Sequence, residues 1–204
     1  MPILPKKFYN RSALLVAQDL LGCFLIRKIL PLNKGETKRG FIQKIKIVET
    51  EAYEGPNDLA SHASRSRTPR NEVMFGPSGI TYIYFTYGMH YMLNIVTGQV
   101  DYPAAVLIRA IGHCEEDSLL ADVAIPIAKL NGPAKLTKFL QIDKDLNKIP
   151  VYTKKYGLWI ENRKEEIKPS QIIKAPRIGI DYAGVYKNKK WRFYLKNNLF
   201  VSKK

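Results

Sequence analysis

Cysteine, histidine and acidic side chains are scarce in this chain, and each scarcity removes a class of protein. Only two cysteines, Cys23 and Cys114, occur in 204 residues. Neither belongs to a Cys-x-x-Cys pair, which argues against a disulfide scaffold or zinc knuckle and fits a reducing compartment. The three histidines, His62, His90 and His113, show no metal-ligand spacing, so neither a metal nor another cofactor is expected. No segment approaches the roughly 18 uninterrupted apolar residues of a membrane-spanning helix. The opening MPILPKKFYNRS lacks a basic stretch followed by a long apolar run, so the expectation is a soluble, cytoplasmic protein. Acidic residues number 18 against 33 Lys and Arg, a formal net charge of +15. That excess goes beyond what solubility needs and implies a polyanionic partner; charge alone leaves nucleic acid, an anionic membrane and the ribosome open.

What is present is enough for one core. With 46% hydrophobic residues and no internal repeat, low-complexity tract or linker, residues 1–204 read as a single domain. Asn10 or Ser12 caps a short helix carrying Leu14, Leu15, Val16, Leu20 and Leu21, with Gly22 as its stop. A strand follows from Cys23 to Ile29, then the turn-rich loop PLNKGETKRG. The alternating run FIQKIKIVETEAY, Phe41 to Tyr53, reads as a half-buried strand with Glu51 and Tyr53 on one face at its end. From Glu54 to Pro77 the periodicity dissolves into a long loop, and such loops inside compact domains are usually functional. A hairpin over Ile80 to Thr97, a strand AAVLIRAI ending near Ile111, and a helix in NGPAKLTKFLQI with Pro133 in its first turn come next. The last third reads as short strands and turns.

Three groups of residues suggest chemistry. VETEAYEGP concentrates Glu49, Glu51 and Glu54 in an acid-poor chain. Solvated or salt-bridged carboxylates would explain them, but a carboxylate repels phosphates, so beside a nucleic-acid track it suits chemistry better than affinity. The loop SHASRSRTPRN interleaves Arg65, Arg67 and Arg70 with hydroxyl residues, all of which donate to phosphate oxygens. Tyr53, Tyr82, Tyr84, Tyr87 and Tyr91 form a dense aromatic set. Core packing accounts for Tyr82 or Tyr91; exposed rings in a basic protein offer faces on which bases stack. Tyr87, beside Gly88 at the hairpin tip, occupies a place where Asn, Asp, Gly or Pro is usual.

Taken together, VETEAYEGPNDLASHA, RTPRNEVMF, YIYFTYGMHYMLNIV, VLIRAI, NGPAKL and PRIGIDYAG resemble the alkyladenine (3-methyladenine) DNA glycosylase family of base-excision repair. The resemblance runs in order from about Phe8 to Ser202, and the compact form resembles the bacterial members. It implies an α+β domain with a curved antiparallel sheet and a protruding hairpin. It assigns Glu51 as the carboxylate that activates water, and Arg109 as the arginine that helps hold it. Tyr53, His62 and Tyr84 become the walls around an extruded base, Asn94 the residue that crowds guanine's amino group, and Tyr87 the side chain that enters the duplex. The loop HASRSRTPRN is one residue shorter than in vertebrate members, which leaves the phosphate assignments of Arg65, Arg67 and Arg70 open among themselves.

The activity so implied is flipping of alkylated or deaminated purines, such as 3-methyladenine, hypoxanthine and ethenoadenine, and hydrolysis of the N-glycosidic bond. No lysine matches a nucleophile position, so an abasic site without strand cleavage is expected. The implied partner is double-stranded DNA containing damaged purines, with the protein acting as a monomer and away from membranes. Two other readings compete. A non-catalytic RNA- or ribosome-binding module would account for the charge and the tyrosines. A sugar hydrolase would need two opposed carboxylates, for which Glu49 and Glu51, two residues apart on one strand, are poorly placed.

Overall fold

The computed structural model describes residues 1–29, 41–112 and 130–203. The loop expected at PLNKGETKRG, and His113 and Cys114, lie outside the described residues. The architecture is α+β, dominated by one antiparallel sheet whose strand order is β3-β4-β5-β2-β1-β6, with β8 joined to β2 and β7. These strands are β1 (Phe24–Ile29), β2 (Phe41–Glu54), β3 (Thr81–Thr86), β4 (His90–Val96), β5 (Ala104–Gly112), β6 (Leu158–Glu161), β7 (Ile172–Ala175) and β8 (Arg192–Leu195). The helices are α1 (Lys6–Tyr9), α2 (Ala13–Asp19) and α3 (Pro133–Phe139). None of the described helices is long and apolar enough to cross a membrane.

Ser12 is the cap of α2, its hydroxyl accepting from the Leu14 amide and donating to Glu54. The helix ends at Asp19, earlier than the Gly22 stop that the sequence suggests, and α1 has no sequence counterpart in the reading above. Pro133 opens α3 as expected, because its missing N–H would have had no helical acceptor.

β2 is the spine. One edge pairs with β5 from Lys46 to Glu54; the other pairs first with β1, from Phe41 to Lys46, and then with β8, from Glu49 to Glu51. The register against β5 is irregular in one place: Val48 is skipped between Ile47 and Glu49, and Arg109 is skipped between Ala110 and Ile108. The two skips compensate, so pairing resumes unchanged on either side. Between them the facing of both strands inverts. Ile45 and Ile47 point into the main core, and past the bulge it is Ala52 that does so, at the opposite parity. On β5 the core residues Val106 and Ile108 give way to Ile111. An uninterrupted β2 would aim Glu49, Glu51 and Tyr53 into the hydrocarbon with Ile45 and Ile47.

The main core fills that first face, where Ile83, Leu93, Ile95, Val106, Ile108 and Phe193 meet α2 and α3. The second face carries a row that crosses five strands in register: Tyr82 opposite Asn94, Asn94 opposite Leu107, Leu107 opposite Glu51, and Glu51 opposite Arg192. Paired residues point the same way from a pleated sheet. The fold therefore gathers an amide, a carboxylate, a guanidinium and a phenol on one surface.

Candidate active site

Glu49 and Glu51 are both 0% exposed, which removes the solvated-strand reading and leaves each carboxylate to be satisfied by protein groups. Oε1 of Glu51 accepts from the Ile178 amide at 2.8 Å and lies 3.3 Å from Nη1 of Arg109; Oε2 accepts from the Tyr53 hydroxyl at 2.9 Å. Glu49 is held by Nη1 of Arg192 at 2.8 Å and by the Ser202 amide at 2.7 Å. Arg109 stands between them. Its Nε is 3.4 Å from Glu49 without hydrogen-bond alignment, and its Nη2 donates to the Ser202 hydroxyl. Two carboxylates and two guanidiniums thus make a buried group with no net charge, the condition under which burying ions is tolerable. Glu49 serves as the counter-charge that keeps Arg109 and Arg192 in place.

A cavity of about 320 Å³ opens over this row. Tyr53, His62, Tyr82, Tyr84, Asn94 and Arg109 line it, together with Leu107, Ile178 and Tyr182. Glu51 sits behind the lining, reached through Tyr53, Arg109 and Ile178. The His62 and Tyr84 rings touch edge to face, with centroids 4.5 Å apart and planes at 79°, so they form one corner with no gap between them. Nδ1 of His62 and the Tyr82 hydroxyl share a hydrogen bond of 3.0 Å. His62 is exposed in part, yet desolvation, and then the charge of Arg70, pull its pKa below the ordinary histidine value. Burial pushes the Tyr82 phenol up to about 12. Burial, then the Glu51 charge, also raises Tyr53, so its hydroxyl keeps the proton it donates.

Tyr82 is 2% exposed and fits the core assignment while also lining the cavity; Tyr91 is only partly buried, against Phe85. Asn94 is buried within β4, its Nδ2 donating to the carbonyls of Tyr82 and Met92. Those bonds fix the amide plane and turn Oδ1 the other way. Tyr87 lies at the tip of the three-residue loop between β3 and β4, 83% exposed, with φ of +52° followed by +66° at Gly88. Positive φ is uncommon for a bulky residue.

The loop arginines differ from one another. Arg67 bonds Asp101 and Glu72 and lies over Phe75; Arg70 donates to the Phe85 carbonyl and lies over Tyr84; Arg65 is exposed and near enough to act electrostatically on Tyr182. Sequence reasoning missed what holds this loop. Asp58 accepts from the amides of Glu54 and Ala60 and pairs bidentately with Arg177, and Asn71 donates to the carbonyls of His62 and Ser66. Arg177 is sandwiched by Tyr53 and Trp191, 4.7 and 5.0 Å from their ring centroids. It lies within the PRIGIDYAG motif, but its partner Asp58 is 119 positions away and no local pattern links them.

A family model for methylpurine-DNA glycosylases matches residues 7–199. A protein of Carboxydothermus hydrogenoformans is 45% identical over 99% of this chain and 100% of its own length. One of Methanocella arvoryzae is 43% identical over 100% of this chain and 98% of its own, and one of Desulfitobacterium hafniense is 39% identical over the full length of both. Each of the three carries the name "Putative 3-methyladenine DNA glycosylase". A match of this extent, over the strands that carry the buried carboxylates and the aromatic cavity, means that the chain belongs to the methylpurine-DNA glycosylase family.

Proposed function

We propose that the protein is a DNA glycosylase that takes alkylated or deaminated purines, of the 3-methyladenine, hypoxanthine or ethenoadenine type, out of duplex DNA and hydrolyses their N-glycosidic bond. The observation that carries this reading is a fully buried, three-donor carboxylate directly behind an aromatic cavity whose rim bears an exposed tyrosine at a positive-φ tip. A binding module has no use for such a carboxylate, whose burial costs free energy and whose charge repels phosphate.

The geometry supports this chemistry. A base within a stack must be extruded before its glycosidic carbon is accessible, at a cost of a few kcal/mol that is smaller for a damaged pair. The everted purine enters between Tyr53 and the His62–Tyr84 corner. A cationic base gains about 0.5–2 kcal/mol over those rings relative to a neutral one, and His62, held neutral at physiological pH, does not repel it. Glu51 offers about four lone-pair positions, of which Tyr53, Ile178 and Arg109 occupy three. The remaining one on Oε2 seats the attacking water and takes its proton as the sugar becomes oxocarbenium-like. Oδ1 of Asn94 crowds a purine 2-amino group, which guanine has and adenine and hypoxanthine lack. Tyr87 fills the stack, Arg65 and Arg70 meet phosphates, and Arg67, already paired with two carboxylates, contributes less. No lysine among the described residues lines the cavity as a nucleophile, and the expected product is an abasic site on an intact strand.

The test is release of free base from a duplex with one ethenoadenine, hypoxanthine or alkylated adenine. Base release with strand breakage only after alkali supports the reading, as does binding that weakens steeply with salt. Tight binding of DNA or RNA with no base released would establish the non-catalytic module instead.

A further inference from the structure

Tyr182 is a large side chain, 69% exposed, on the connection between β7 and β8, and it lines the same cavity as Glu51's neighbours. The exposure is built in. On either side of it Ile180 and Ala183 are buried at 4% and 0%, packed with Ala60 beneath Tyr53 and Tyr186, and the Ala183 amide donates to the Ile180 carbonyl at 2.9 Å. This anchored turn fixes the direction in which the Tyr182 side chain leaves the backbone. The hydroxyl donates to the Ala60 carbonyl at 3.4 Å, a long bond that ties the ring's far end across the rim to the loop following β2. Tyr87 and Arg65 lie near enough to act electrostatically on the phenol. Tyr182 and Tyr87 therefore share one mouth.

The two exposed tyrosines cannot do the same work. Tyr87 is carried on a hairpin tip, where nothing behind it would stop it entering a stack. Tyr182 is set on the body of the protein at the cavity rim. With a purine between Tyr53 and the His62–Tyr84 corner, the group one bond outside the cavity is its deoxyribose, whose C–H faces suit an aromatic ring. We propose that Tyr182 packs against the deoxyribose of the everted nucleotide and retains it at the mouth, acting on the damaged strand alone. This deepens the glycosylase reading and rests on it.

Strand dependence separates the roles. A side chain that fills a gap in a duplex has nothing to fill in a single strand, whereas one that holds the everted sugar acts on both. The experiment measures binding, by ethenoadenine fluorescence, to a single-stranded and a duplex oligonucleotide with one ethenoadenine, using the wild-type chain, Tyr182→Ala, Tyr182→Phe and Tyr87→Ser. Tyr182→Ala is expected to weaken binding about tenfold on both substrates, Tyr182→Phe to stay near wild type on both, and Tyr87→Ser to lose affinity on the duplex alone. An unchanged Tyr182→Ala, or one impaired only on the duplex, overturns the role assigned to Tyr182 and leaves the glycosylase reading standing. Tyr182→Phe impaired as much as Tyr182→Ala also overturns it, placing the effect in the Ala60 bond. A wild-type chain that prefers neither ethenoadenine strand over its undamaged counterpart sinks both. Urea denaturation with like midpoints in all four proteins verifies that they fold.

Discussion

The Tyr53 hydroxyl donates to Oε2 of Glu51 at 2.9 Å, so the residue that walls the cavity also orients the carboxylate behind it. The two functions separate by substitution. Tyr53→Phe keeps the ring and loses an orienting bond whose net value is about 0.5–1.5 kcal/mol, which should lower single-turnover excision by no more than about tenfold. Glu51→Gln keeps the shape and loses the base, and should cost at least ~10²-fold while lesion binding persists. Near-normal excision by Glu51→Gln would remove the carboxylate from the mechanism.

Arg109 is the only cation in contact with both buried carboxylates among the described residues. Arg109→Met should destabilise the fold by about 3–5 kcal/mol, because breaking a buried ion pair strands its partner. Urea denaturation measures this. A change within about 0.5 kcal/mol, typical of a surface site, would mean the carboxylates do not depend on Arg109.

Tyr87 joins the wedge role proposed for it to backbone strain. A bulky residue at positive φ costs on the order of 1–3 kcal/mol, and Asn tolerates that conformation. Tyr87→Asn should therefore leave stability unchanged or raise it, while lowering the extruded population of ethenoadenine roughly tenfold to a hundredfold, the worth of one stacked ring. The loss should be larger opposite a good pairing partner than opposite a mismatch. Undiminished extrusion would direct the search for the wedge to Met89, 67% exposed in the same loop.

How much of this was legible in the sequence varies with distance along the chain. Alternation marks β2, the hairpin and β5, and the glutamate-to-tyrosine spacing puts Glu51 and Tyr53 on one face. The apolar doublet Ile47-Val48 was the visible trace of the bulge, since it is where alternation breaks, but its counterpart at Arg109 is the lone polar residue of a stretch without alternation, and a bulge there leaves no mark. The Ile178 amide on Glu51 is 127 positions away, and a backbone donor carries no residue signature. Tyr182 was hidden for another reason: exposure comes from the anchored turn beneath it, and the letters around it read only as a loop.

Asn94→Ser should relax discrimination against guanine, because the shorter side chain leaves room for the 2-amino group. It also gives up two bonds to backbone carbonyls, so about 1–3 kcal/mol of stability should go with it. The ratio of hypoxanthine to guanine excision is the readout. A folded variant with an unchanged ratio would confine Asn94 to strand structure.

His62 predicts a pH dependence with a definite sign. Its pKa is below the ordinary value in the folded protein, so as pH falls below about 6.5 the unfolded chain takes up the proton first and stability declines. His62→Gln removes that contribution. Denaturation at about pH 7.5 and about pH 5.5 should show a smaller acid loss in the variant than in the wild type; equal losses would contradict the lowered pKa.

The fork in β2, whose one edge serves β1 and then β8, has a kinetic consequence. Glu49 meets Arg192 and the Ser202 amide across 143 and 153 positions, so the charged group cannot assemble from any local hairpin. Ordering such distant segments makes these contacts slow to form. Until β8 and the residues after it dock, Glu49 lacks Arg192 and the Ser202 amide, and Arg109 lacks the Ser202 hydroxyl; opening of that short strand alone, without global unfolding, unbalances the charge beside Arg109. Hydrogen exchange in β8 therefore reports on how often the buried charged group stands open.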